Sequence, residues 1–107
     1  MLTCELIVIE LTRATANAEQ ARLLRTRLAP IERVAMGPSL WDAASEIQLA
    51  LAASGDHRRV PPADLLIAAA AIAANVPVVH YDRDYERIAA VTNLEHHWFV
   101  RDGSLAA

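Results

Sequence analysis

The chain has 107 residues, enough for one compact domain and too few for two; with 54% apolar residues and 3 glycines it can bury a core, which excludes a disordered segment. Its formal net charge of −3 excludes a general basic field for nucleic acid, so any attraction for a polyanion must be local or carried by bound cations. The single cysteine, Cys4, excludes an intrachain disulfide and a cysteine zinc site, and it suits a reducing cytoplasm.

Residues 2–13 are apolar with Glu5 and Glu10 set among them, and two readings are open. Ile7, Val8 and Ile9 are β-branched and suit a strand. A helix capped by Thr3, with Leu6, Glu10, Arg13 and Ala14 along one face, fits equally well. Glu5, Glu10 and Arg13 make the stretch too polar to span a bilayer. With no basic segment before it and acids inside it, it is not a signal peptide either. Residues 14–28 are helical by composition, with a break expected near Asn17. Leu23, Leu24 and Leu28 give that helix its apolar face, while Arg22, Arg25 and Arg27 are solvated.

Pro30 stops the helix, and residues 31–36 read as a short strand. Gly37, Pro38 and Ser39 turn the chain into the next helix, where Leu40, Ala43, Ala44, Ile47 and Leu51 recur at three and four residues. It ends at Ser54-Gly55, glycine being the expected cap. A polar loop follows, with His57, Arg58 and Arg59. Pro61 and Pro62 open an alanine-rich helix running to about Asn75. Residues 77–81 form a short apolar strand, residues 82–91 a helix with Asp82 as N-cap, and residues 97–100 a last strand before a loose tail beyond Arg101.

Helices alternating with short apolar strands imply an α/β fold with a parallel sheet flanked by helices. The functional crevice of such a sheet lies at the carboxyl ends of its strands, where Asp82 directly follows one. No internal repeat, linker or low-complexity tract divides the chain.

Two segments carry the chemistry. Pro62-Ala63-Asp64-Leu65-Leu66-Ile67-Ala68-Ala69 places an acid in the first turn of a helix. Tyr81-Asp82-Arg83-Asp84-Tyr85-Glu86-Arg87-Ile88 places two more just after a strand. Each acid has a purely structural account. A first-turn acid such as Asp64 or Asp84 interacts with the helix dipole for about 0.3–1 kcal/mol. Asp82 as an N-cap is worth about 1 kcal/mol. Glu10 near Arg13 reads by itself as a solvated surface pair. The joint pattern is what points beyond structure. Carboxylates set close together repel unless a cation neutralises them, and hard oxygen donors select Mg²⁺ or Mn²⁺.

The two segments, together with Ile9-Glu10-Leu11 upstream and Trp98 in the last strand, resemble the PIN-domain ribonucleases of the VapC toxin type. The resemblance covers nearly the whole chain and is specific from Asp64 onward. It implies one PIN domain over residues 1–107 and a metal-dependent endoribonuclease hydrolysing RNA phosphodiester bonds. Glu10, Asp64 and Asp82 would be its catalytic acids, and Mg²⁺ or Mn²⁺ would be held by Asp64, Asp82 and Glu10 with Asp84 secondary. It also implies a homodimer in the cytoplasm, neutralised by a VapB-type antitoxin. Arg58 and Arg59 could touch RNA phosphates, although a solvated loop accounts for them as well. His80 reads as a buried or edge histidine, and His96-His97 as a poor chelate because neighbouring strand residues face opposite ways.

The sequence departs from the family at its start. The family's first strand bears an Asp followed by a small hydroxyl residue, and residues 1–10 do not match it. The chain therefore reads as an N-terminally truncated PIN domain. The alternative is a catalytically inactive PIN remnant that only dimerises or binds an antitoxin. A small phosphate-binding module is disfavoured by the lack of a Gly-rich loop.

Overall fold

Helix and strand alternate through the computed structural model, which describes residues 2–80 and 82–98. The described chain divides between Met36 and Gly37 into two units. The expected strand contributions of Tyr81, Phe99 and Val100, and the expected tail beyond Arg101, lie outside the described residues.

In the first unit β1 (Leu2–Thr3) leads into α1 (Glu5–Arg13), α2 (Ala18–Leu28) and β2 (Glu32–Arg33). The strands pair in parallel, Leu2 opposite Glu32 and Thr3 opposite Arg33. A parallel pair needs a crossover, which the two helices supply. The helical reading of residues 5–13 prevails over β-propensity: Val8 donates back to the Cys4 carbonyl at 3.1 Å and is buried. The cap, however, is Cys4 rather than Thr3. Thr3 belongs to β1, and its hydroxyl is buried without a hydrogen-bond partner among the described residues. The break at Asn17 is a true N-cap, its side chain accepting from Gln20 N–H at 2.9 Å. Leu23, read as part of an apolar face, is 51% exposed, and no residue of α2 is buried. Strand β2 is also shorter than the expected 31–36, only Glu32–Arg33 being paired. Arg33 forms an ion pair with Glu5, tying β2 to the first turn of α1.

The second unit runs α3 (Ser39–Ala52), a 3-10 turn (Asp56–Arg58), α4 (Pro62–Ala74), β3 (Val78–His80), α5 (Arg83–Val91) and β4 (His96–Trp98). Its core follows the helical periodicity. Leu40, Ala44, Ile47 and Leu51 of α3 are buried, whereas Ala43 is only half-buried. They meet the alanine-rich α4, where Leu65 and Ile67 to Ala71 are all buried. Small side chains let the two helices approach closely, and Tyr85 and Ile88 of α5 complete the cluster. Asn75 ends α4 in the left-handed conformation (φ 56°), and Val76 N–H then reaches back to the Ala71 carbonyl at 3.0 Å. The glycine expected as the cap of α3 lies just beyond it: Ala53 is the cap, and Gly55 takes the left-handed turn at φ 77°.

Strands β3 and β4 pair in parallel, with α5 as their crossover. Val78 faces His96, Val79 faces His97 and His80 faces Trp98. Val78 and His80 are buried while Val79 is 61% exposed, so one face of β3 meets the core. Asp82 follows at the carboxyl end of β3, where the next helix begins.

Candidate metal centre

Two helix starts place three acids. Pro62 occupies the first position of α4, where its missing N–H costs nothing, and Asp64 falls in the same first turn. Asp82 caps α5, its Oδ1 accepting from Asp84 N–H at 2.9 Å, and Asp84 lies in that helix's first turn. The two segments bring one carboxylate oxygen from each of Asp64, Asp82 and Asp84 within 4.8 Å of one another. Asp82 is exposed, Asp64 half-buried and Asp84 buried. Both helix dipoles present their positive ends to these acids, which offsets part of the repulsion.

The remainder is visible in Asp64, whose carboxyl is pushed up to about 6. Burial is the main cause, followed by the charge of Asp82 and, more weakly, that of Asp84. Tyr85 works the other way: its hydroxyl donates to Asp64 Oδ1 at 3.3 Å and favours the ionised form. Burial and the Asp64 charge in turn push the Tyr85 phenol far up, so it stays a donor at every physiological pH. Arg87 Nη1 donates to Asp84 Oδ1 at 2.7 Å and neutralises the most buried of the three.

Without a cation, then, the Asp64 carboxyl should titrate near 6 by ¹³C NMR. Asp82→Asn should lower that value, and Tyr85→Phe should raise it. Because the folded-state value lies above the ordinary 3.8, the proton-linked stability is fully present below pH 3.8 and is lost as pH rises through about 6. A titration at the ordinary carboxylate value would contradict this electrostatic picture.

Three carboxylates offer hard oxygen donors and surplus negative charge at neutral pH, which suits a hard divalent cation. The donor set therefore fits Mg²⁺ or Mn²⁺. Of the sequence-derived acids, the structure brings together Asp64, Asp82 and Asp84. Glu10 lies in the other unit, exposed on α1, and makes no ion pair among the described residues. Arg58 and Arg59 are exposed at the 3-10 turn before α4, Arg59 being 3.8 Å from Asp56.

Sequence reasoning assigned no role to Tyr85 or Arg87. Tyr85 follows Asp84 directly, and Arg87 stands three residues after it on the same helix face, a spacing that marks a pair. His80 is buried as expected, and its ring bonds His96 at 2.8 Å. Burial, and then His96, hold the His80 imidazole below its ordinary value, so the ring is neutral.

The chain is also similar in sequence to known proteins. Residues 1–91 match the PIN domain family. Ribonuclease VapC21 of Mycobacterium tuberculosis is 40% identical over 102 residues, spanning 94% of this chain and 74% of that protein. Ribonuclease VapC18 of the same organism is 35% identical over 104 residues, spanning 95% of this chain and 76% of that protein. Ribonuclease VapC51 is 34% identical over 97 residues, covering 91% and 70% respectively.

Proposed function

Since the chain belongs to the PIN-domain family, among ribonucleases of the VapC type, we propose that it is a metal-dependent endoribonuclease toxin that hydrolyses RNA phosphodiester bonds. The observation that carries this reading is the convergence of Asp64, Asp82 and Asp84 at two helix starts. Asp64 and Asp82 would hold Mg²⁺ or Mn²⁺, with Glu10 as a further acid and Asp84 a secondary one. When bound, the ion would supply a nucleophile at neutral pH and neutralise charge on the phosphate.

The chain's own residues have separable tasks. Tyr85 holds Asp64 through one carboxylate oxygen. The Asp84 N–H fixes Oδ1 of Asp82. Arg87 lowers the charge of Asp84, consistent with a secondary role for that acid. With a net charge of −3 the surface does not attract RNA broadly, so Arg58 and Arg59 are the local phosphate contacts in this proposal. A cytoplasmic homodimer over one PIN domain, silenced by a VapB-type antitoxin, completes the reading. Among the described residues no helix is long and apolar enough to cross a membrane.

The test is cleavage of RNA by the purified protein in Mn²⁺, with EDTA alongside. Endonucleolytic fragments that appear with Mn²⁺ and vanish with EDTA are expected. Fragments that persist in EDTA, or none with Mn²⁺, would defeat the proposal.

A further inference from the structure

His80 is 7% exposed, and both of its ring nitrogens are engaged. Its Nδ1 accepts from the backbone N–H of Asp82 at 3.0 Å. Its Nε2 lies 2.8 Å from Nδ1 of His96. A nitrogen that accepts carries no proton, so the proton of the neutral ring resides on Nε2 and donates to His96. The ring is also walled in: the centroids of Tyr85, His96 and Trp98 lie 4.8, 5.0 and 4.8 Å away. Tyr85 is the residue whose hydroxyl donates to Asp64. One imidazole thus touches the backbone of one acid and the ring that steadies another.

Resting on the metal-centre reading above, we infer that His80, oriented by His96, is a positioning residue for Asp82. Asp82 is held at two points. His80 takes its backbone N–H, and the Asp84 N–H takes Oδ1. The second carboxylate oxygen is left without a hydrogen-bond partner among the described residues and is free to meet a cation. Positioning partners behind a ligand typically tune metal affinity by about 10- to 100-fold. A histidine that only filled the core would lack this link, because any apolar side chain of similar size would replace it.

Two variants of the full chain separate the roles. His80→Leu fills the buried space but cannot accept. His80→Asn is smaller, yet its side-chain oxygen can accept from the N–H two residues on, as in an Asx turn. Mn²⁺ titration calorimetry should show a loss of about 10- to 100-fold for His80→Leu and recovery to within about threefold for His80→Asn. Thermal melting in EDTA should rank the two the other way, with Leu at least as stable as Asn. Long-range ¹H–¹⁵N spectra of the wild-type protein should show the Nε2–H form of His80. A Leu variant that binds Mn²⁺ like wild type, affinities that follow melting temperature, or an Nδ1–H ring would overturn the inference and leave the metal centre standing. A wild-type protein that binds no Mn²⁺ would overturn the metal-centre reading, and the inference with it.

Discussion

Replacing Asp64 by Asn is expected to reduce Mn²⁺-dependent RNA cleavage by at least about a hundredfold while raising the melting temperature of the metal-free protein. The first effect follows from its place in the cluster. Outer partners of a metal site cost about 10- to 100-fold when removed, and a direct oxygen ligand should cost no less. The second follows from the strained carboxyl. Above pH 6 Asp64 is ionised against burial and the charges of Asp82 and Asp84. Asn keeps the shape and can still accept from Tyr85, but carries no charge. After allowance for solvent screening at this half-buried position, the gain should be about 1 kcal/mol at pH 8. It should shrink towards pH 5, where Asp64 itself takes up a proton. Melting curves at both pH values, with fragment analysis of cleaved RNA, check the pair of effects. Unchanged cleavage would remove Asp64 from the centre, and a gain equal at both pH values would remove the electrostatic cause.

Leu51→Ala should lower unfolding free energy by about 2–5 kcal/mol, read from urea denaturation at constant slope. Leu51 is 0% exposed and belongs to the buried face of α3. A domain's total stability is about 5–15 kcal/mol, so this one change consumes a large share. Full burial of such a side chain contributes about 1.5–3 kcal/mol, and the cavity adds the rest. Leu49, on the same helix but 67% exposed, is the control, and Leu49→Ala should change stability by less than about 0.5 kcal/mol. Equal losses at the two positions would show that this face of α3 does not build the core.

Much of this was legible in the residues. The three- and four-residue spacing of α3 marks its buried face, Pro61-Pro62 marks the start of α4, and Asp82 is a cap in sequence and in structure. These signals are local, each set by a few neighbouring residues. What stayed open depended on distant partners. Residues 5–13 carry β-branched side chains, and only packing decides for helix there. The apolar look of Leu23 says nothing about whether a neighbour covers it. The acids of the second unit could be named from their motif, but the groups that steady them could not. Tyr85 meets Asp64 across two helices, and His80 meets His96 only because the parallel register sets them two residues apart on one face. No spacing along the chain encodes those meetings.

The placement of the acids at the starts of α4 and α5 has a thermodynamic corollary. Most of α4 and the whole of β3 lie between Asp64 and Asp82 along the chain. A cation seated on both would act as a clasp on that loop, joining points the unfolded chain holds apart. Occupancy then stabilises the fold by mass action, about 2.7 kcal/mol at a hundred times the dissociation constant. The melting temperature would then be a gauge of free divalent ion, and susceptibility to proteolysis would rise as that supply fell.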